Sequence, residues 1–321
     1  MLYQRGAKGN EVRKIQERLK ELGFYEGLID GGYGGGTETS VKAYQRASRL
    51  EVDGQVGPTT WKTLFDGAAI EEPGIYHKPL AFKCLALTGS IETSAPVPEC
   101  FAGLSGDFDQ MGISFGALQW NLGQGSLQPL LKEMNTKHSA VLRDIFDDHY
   151  AELASMLGEP LDEQVDWARS IQDPKARIVE PWRGLFKTLG RRPEFQDIEV
   201  RTADSLYQRA LVLCREYGLR TERAVALLFD IVVQNGSIKP VVKEQITRDR
   251  AALPPSGDVM ADEAATLRII ANRRAEAANP RWMEDVRTRK LMIANGVGTV
   301  HGSQYDIQTQ YGIGLRPADE L

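Results

Sequence analysis

The residues best suited to bond-making chemistry gather between positions 92 and 126. Glu92 and Asp109 stand 17 positions apart, and Ser114 follows Asp109 by five. Two carboxylates can divide the work of a general acid and a general base, and a hydroxyl beside one of them can hold a water. Asp107 competes for the second carboxylate role. Gln119, Trp120 and Asn121 supply amide hydrogen bonds and an aromatic face, natural contacts for a sugar ring. Other chemistries are poorly served. The four histidines (His77, His138, His149, His301) lie far apart and form neither HExxH nor a pairing with CxxC, so no zinc site is expected. Cys84 lies on an apolar helical face, Cys214 sits in a similar run, and Cys100 has no histidine close in sequence. These thiols read as core residues and not as nucleophiles. Carboxylate chemistry, with no metal or organic cofactor, is what remains.

The elements that must position these groups are legible in part. Leu80, Cys84, Leu87 and Ile91 are spaced by 4, 3 and 4, which predicts an amphipathic helix ended by Ser94 and Pro96. Glu92 falls on its last turn, where desolvation and the negative end of the helix dipole would both raise its pKa. Residues 101–126 mix six glycines with Asp107, Asp109, Ser114, Gln119 and Asn121, which predicts loops or a short hairpin lining a cleft. Farther on the pattern is mostly helical to about residue 295. Within it, the apolar run 224–235 ends in Gln234-Asn235-Gly236 and encloses Asp230, which must be paired. Arg268, Arg273 and Arg274 are candidate partners, with no pair assigned.

With 321 residues the chain fits two domains. Apolar residues make up 42% and charged residues 26%, enough for a packed core. The net charge of −5 argues against nucleic acid or an acidic membrane surface as a bulk electrostatic partner. No stretch of about 18 apolar residues occurs, so no membrane insertion is expected. The start, MLYQRGAKGNEVRKIQ, lacks an apolar h-region, so synthesis in the cytoplasm without a Sec signal is expected. An odd cysteine count fits free thiols. Residues 1–66 carry 10 basic and 9 acidic side chains, and the remainder 29 and 35. Between these halves, 67–79 reads as a linker.

The small half holds an internal repeat. Asp30-Gly31 and Asp53-Gly54, Gly34 and Gly57, and Thr37 and Thr60 all recur at 23 positions. Each unit reads as an Asp-Gly turn followed by a threonine that caps a helix. Ahead of them Val12, Ile15, Leu19 and Leu22 mark one helix face, ended by Gly23, which gives a three-helix unit. Gly6, Gly9, Val12, Ile15-Gln16, Leu22-Gly23-Phe24-Tyr25, Gly27, Tyr44-Gln45 and the repeated turns resemble the peptidoglycan-binding domain of bacterial and phage cell-wall hydrolases. The resemblance covers about 60 residues. It implies peptidoglycan as partner, bound in a groove that the turns frame, with Tyr25, Asp30, Tyr33 and Asp53 as wall-binding residues.

The large half resembles the lysozyme superfamily, in which a catalytic Glu ends a helix and a β-hairpin with polar partners follows. Gly112, Ser114, Gly116 and Gln119 match its Gly-x-Ser-x-Gly-x-x-Gln. The order Glu92, Asp109, Ser114 is similar to phage-type lysozymes and to the chitosanase branch, with Ser in place of Thr, and favours Asp109 over Asp107. The resemblance implies a mainly α protein: the three-helix domain plus a lysozyme-like α+β domain at 80–321 with a short β-hairpin. It further implies an inverting N-acetylmuramidase in which Glu92 is the acid and Asp109, with Ser114, activates water. Gln119, Trp120, Asn121, Gln234 and Asn235 would bind substrate. The carboxylates would stand about 6.5–9.5 Å apart. Such a modular architecture is similar to monomeric phage endolysins, which reach the wall after release from the cytoplasm. The alternatives are a lytic transglycosylase using Glu92 alone, a chitosanase-type enzyme, and a non-catalytic wall-binding or virion protein.

Overall fold

The computed structural model describes residues 3–70 and 72–321. Position 71, within the 67–79 segment, and the first two residues lie outside the described residues. The protein is mainly α-helical with two small antiparallel sheets. The chain opens with α1 (Asn10–Glu21), α2 (Gly35–Ala47) and α3 (Pro58–Leu64). After α4 (Leu80–Thr93) come three two-residue strands, β1 (Leu104–Ser105), β2 (Ser114–Phe115) and β3 (Trp120–Asn121). A helical stretch follows: α5 (Gln128–Lys137), α6 (Ser139–Phe146), α7 (Tyr150–Met156), α8 (Leu161–Ser170), α9 (Trp182–Gly190), α10 (Pro193–Thr202) and α11 (Asp204–Tyr217). The last part comprises α12 (Glu222–Asn235), α13 (Pro240–Ala251), α14 (Val259–Glu276), α15 (Met283–Asn295), β4 (Val297–Val300), β5 (Ser303–Asp306) and α16 (Ile307–Tyr311).

The chain forms two compact units. One runs to Lys83 and resumes at Arg209–Leu321; the other is Cys84–Gln208. Within the first, the three N-terminal helices enclose a core of their own, including Val12, Ile15, Leu19, Tyr33, Val41, Val56, Trp61 and Leu64. The two turns are built alike around a buried glutamine. Gln16 Nε2 donates to Asp30 Oδ1 (2.8 Å), Gly32 O and Thr37 Oγ1, while Gln16 Oε1 accepts from the Gly31 N–H. Gln45 repeats this on Asp53 Oδ1 (2.8 Å), Gln55 O, Thr60 Oγ1 and the Gly54 N–H. Thr37 and Thr60 are therefore not the helix caps expected from sequence. Gly34 and Gly57 occupy the N-cap positions in extended backbone, and the threonines sit inside the first turn, bonded to the glutamines.

This module rests on the C-terminal end of the same unit. Lys8 Nζ lies over the Tyr305 ring at 5.2 Å, and Gln310 Nε2 donates to Gly6 O. The 67–79 segment contains a short 3-10 turn, Gly74–His77. Its Tyr76 hydroxyl lies 2.9 and 2.8 Å from the carbonyls of Gln308 and Thr309. Deeper in the unit α12 is buried along most of its length, and Asp230 is fully buried there. Its partners are not the arginines named from sequence but two neighbours on α15. Arg289 forks onto the carboxylate (2.6 Å from Nη2), and Lys290 Nζ bonds its other oxygen. Burial works to raise the Asp230 carboxyl, and the two cations overcome it, holding the group well below the usual range.

The second unit packs around aromatic side chains. Phe115 of β2 meets Phe186 of α9 and Phe195 of α10, each at 5.2 Å between ring centres, and Phe146 and Trp182 extend the cluster. Alternation along β2 turns Phe115 into this core and leaves Ser114 on the opposite face. From Phe82 to Ile91 every residue of α4 is buried. It is a helix enclosed on all sides and not the amphipathic helix its spacing predicts.

Candidate active site

Of the candidate residues in Cys84–Gln208, Ser114, Trp120 and Asn121 lie on one small sheet and Gln119 immediately precedes its third strand. The strands lie in the order β1-β2-β3, with Ser105 opposite Ser114 and Ser114 opposite Asn121. Asn121 Nδ2 donates to Ser114 Oγ at 2.9 Å. That uses one acceptor site of the hydroxyl and leaves its proton free to donate. Ser105 Oγ donates to Gln119 Oε1 (2.8 Å), and Gln119 Nε2 donates to Gly116 O (2.9 Å). Asn121 is itself fixed, its Oδ1 accepting from the Gln124 N–H and its N–H bonding Ser126 Oγ. Trp120 is half-buried against the aromatic core. Ser114 and Asn121 thus bond each other on the face away from the core, Gln119 bonds Ser105 beside them, and Trp120, paired with Phe115, lies on the core face.

The end of α4, which bears Glu92, meets this patch through Thr93. It stands exposed on the last turn of α4, so the burial invoked from sequence is absent. The next residue, Thr93, meets the sheet at Gly103. A Cβ on Gly103 would collide with Thr93 Cγ2, with Gln119 Nε2 (2.7 Å) and with Gly116 O (3.1 Å). Only glycine allows the end of α4 to close on the sheet this tightly. The Gly116 N–H bonds Gly103 O at 2.8 Å and completes the junction.

The two aspartates differ sharply. Asp107 Oδ1 accepts from the Gly112 N–H (2.7 Å), and Oδ2 bonds Arg169 Nε (2.8 Å). Burial works to raise its carboxyl, but the Arg169 and Gly112 hydrogen bonds prevail and hold it below the usual range. Asp109 is exposed, and its Oδ1 accepts from the Met111 N–H (3.2 Å) in a local turn. Asp107 has the partners of a structural anchor, while Asp109 is open to solvent.

Sequence reasoning missed one titratable group. Glu199 of α10 is wholly buried, with Oε2 accepting from the Ala117 N–H at 3.0 Å. Its Oε1 has no hydrogen-bond partner among the described residues. Burial raises this carboxyl well above the ordinary glutamate value, and the Ala117 bond only partly opposes it. Gly116, at φ 89°, brings the backbone over the acid; a Cβ there would stand 2.8 Å from Glu199 Oε1. Glu199 supports the 116–119 turn from below. In the largely polar run of α10 nothing but its flanking Ile198 and Val200 distinguished this Glu in the sequence.

The remaining site residues belong to the other unit. Gln234 and Asn235 close α12, half-buried, with Gly236 at φ 74° following. In the N-terminal module the Tyr25 hydroxyl donates to Leu28 O (2.7 Å) and the Tyr33 hydroxyl to Gly54 O (3.0 Å). With Asp30 and Asp53 on the glutamines, all four wall-binding candidates hold the turns together. Asp30 and Tyr33 also border a cleft of about 600 Å3 with Arg5, Lys8, Thr299 and Ser303. The three cysteines are buried, and burial pushes the Cys100 thiol up to about 12. Among the described residues no three His, Cys, Asp or Glu side chains gather as a metal-binding group, and no helix is long and apolar enough to cross a membrane.

Comparison with known proteins falls into two parts. Residues 8–64 match the family described as putative peptidoglycan binding domain. The spore cortex-lytic enzyme of Bacillus subtilis is 50% identical over 64 residues, which is 20% of this chain and 21% of that protein. An N-acetylmuramoyl-L-alanine amidase of Mycobacterium tuberculosis is 44% identical over 57 residues, covering 18% and 14% of the two chains. The chain thus spans about a fifth or less of the length of these relatives. Among solved structures, the native chitosanase of Bacillus subtilis aligns with a TM-score of 0.43 and 18% identity, over 68% of this chain and 89% of that one. A family 46 chitosanase of Gynuella sunshinyii, complexed with chitotetraose, aligns with a TM-score of 0.39 and 14% identity, over 68% and 86%.

Proposed function

We propose that this protein is a cell-wall hydrolase that holds peptidoglycan through residues 1–66 and cleaves its glycan strand at the β1–β3 sheet, with 67–79 joining the two functions and 80–321 carrying the lysozyme-like part. The bond is the β-1,4 link from N-acetylmuramic acid to N-acetylglucosamine. Glu92 protonates the leaving oxygen. Asp109 takes a proton from a water shared with Ser114, and that water attacks from the opposite face and inverts the anomeric centre. Gln119, Trp120 and Asn121 hold the sugar.

The observation that carries this reading is the junction at Gly103. It draws the helix end bearing Glu92 against the Gln119 amide, one residue before the Trp120–Asn121 strand that holds Ser114. Asp109's exposure and Asp107's engagement favour Asp109 as the base. Replacing Glu92 with Gln keeps size and hydrogen bonding but removes the transferable proton. Glu92→Gln is expected to abolish clearing of wall preparations in a turbidity assay while the protein still sediments with intact walls. Undiminished clearing by that variant would end the proposal.

A further inference from the structure

A basic cleft opens along the β1–β3 sheet at which the cleavage is proposed. About 340 Å3 in volume, it opens along β1 and is lined by Leu104, Ser105, Phe108, Arg177, Arg183 and Lys187, among others. Among the described residues no carboxylate lines it, although Asp173 and Glu180 pair with its arginines from outside. It touches the proposed catalytic patch where Ser105 pairs with Ser114 in the sheet, and Phe108 of its rim lies between the two aspartates in sequence. This local charge runs against the balance of residues 67–321, which carry 29 basic and 35 acidic side chains.

The geometry is fixed by the backbone around it. Gly106 at the end of β1 lies directly against Ala176 O, so the turn bearing Arg177 closes over the strand. Arg177 Nε donates to Asp173 Oδ2 and Arg183 Nε to Glu180 Oε1, each at 2.8 Å. Both arginine side chains are more than three-fifths exposed. Exposed pairs of this kind are weak, and a guanidinium has donors to spare. Both cations can therefore turn to an incoming carboxylate. Lys187 is half-buried, with Nζ donating to Ala102 O at 2.6 Å, and adds positive potential from the floor. Phe108, 74% exposed, offers an apolar face at the rim.

The two candidate glycans differ in charge. A muramic acid carries a lactyl ether that ends in a carboxylate or extends into an acidic peptide, whereas a deacetylated glucosamine polymer is a polycation. We propose that this cleft receives the carboxylate-bearing lactyl-peptide substituent of a muramic acid next to the cleaved bond, so that Arg177 and Arg183 select the anionic wall glycan and repel a cationic one. The inference rests on the hydrolase reading and adds to it a subsite for the muramic acid's acidic substituent.

The test uses the full chain, as wild type, Arg177→Glu/Arg183→Glu and the milder Arg177→Gln/Arg183→Gln, each checked for an unchanged thermal midpoint. Cleavage is followed on wall glycan with its peptides and on the same glycan stripped of them. Affinity for a soluble disaccharide-tetrapeptide is measured by calorimetry, where the N-terminal module contributes equally to every variant. The ratio of kcat/KM on peptide-bearing over stripped glycan is expected to fall ~10-fold or more in the reversal variant, chiefly through KM, and less in the neutral one. Calorimetric affinity should fall in the same order. Folded variants that keep the wild-type ratio and affinity would overturn the subsite while leaving the hydrolase reading intact. If no form cleaves either glycan, the hydrolase reading fails, and the calorimetric comparison alone decides whether the arginines bind the carboxylate.

Discussion

Asp107 and Asp109 lie two positions apart in sequence and in different chemical surroundings. Asp107 is committed to Arg169 and the Gly112 N–H, and Asp109 stands in solvent. Their amide variants should therefore separate. Asp107→Asn is expected to lower the thermal midpoint, because it uncouples the 107–112 loop from α8. Asp109→Asn is expected to leave the midpoint in place and remove wall clearing. Calorimetry beside the turbidity assay reads both, and the reverse pattern would exchange the two roles. Glu199 gives a pH signature. Folding raises its carboxyl above the ordinary value near 4.5, so the folded state holds that proton more tightly. Its stabilising share is complete below that value and is lost as pH rises through the higher folded value. Glu199→Gln keeps the acceptor for the Ala117 N–H without the charge, and should flatten the fall in stability with rising pH. Glu199→Ala leaves that N–H unmatched and should cost about 1–3 kcal/mol in urea unfolding. At this scale the spacing from Asp109 to Ser114 was readable. That spacing favoured Asp109, but the anchoring of Asp107 was not legible, because Arg169 lies 62 positions beyond it.

The elements show where periodicity informs and where it misleads. The Asp-Gly repeat marked the second and third helices of the N-terminal module, since turn chemistry is local, and the Val12–Leu22 spacing marked the first. The roles of Gln16 and Gln45 were hidden, because each bonds a turn from a helix 8 to 21 positions away. Either substitution to Ala strips several buried groups of one partner, and each is expected to cost the module about 1–3 kcal/mol by denaturant unfolding. The spacing in α4 located its ends but not its enclosure, which depends on what packs around it. The β4–β5 hairpin went unread, although His301-Gly302 between two short runs was a turn signal. Asp230 was recognised as needing a partner, and its partners proved to lie 59 and 60 positions on. Asp230→Ala leaves Arg289 and Lys290 buried without their anion and is expected to destabilise the protein by about 3–5 kcal/mol, read as a lower urea midpoint. An unchanged midpoint would mean that the α12–α15 pairing bears little of the fold.

On the scale of the whole molecule, a wall-binding module was legible from sequence as a family pattern, but its resting place was not. It packs on β5 and α16 through Lys8 and Gly6, so removing residues 1–66 should reduce sedimentation with walls and also lower the thermal midpoint by uncovering Tyr305 and Gln310. A truncated chain with an unaltered midpoint would show that these contacts contribute little. The central claim is glycan hydrolysis by Glu92 with an activated water, and the products on purified peptidoglycan test it most directly. Digestion by the wild type, followed by borohydride reduction and mass spectrometry, is expected to reveal new reducing N-acetylmuramic acid ends with water added, and none in Glu92→Gln. Anhydro-muramic ends, cleavage confined to peptide bonds, or equal products from the Glu92→Gln variant would contradict the account.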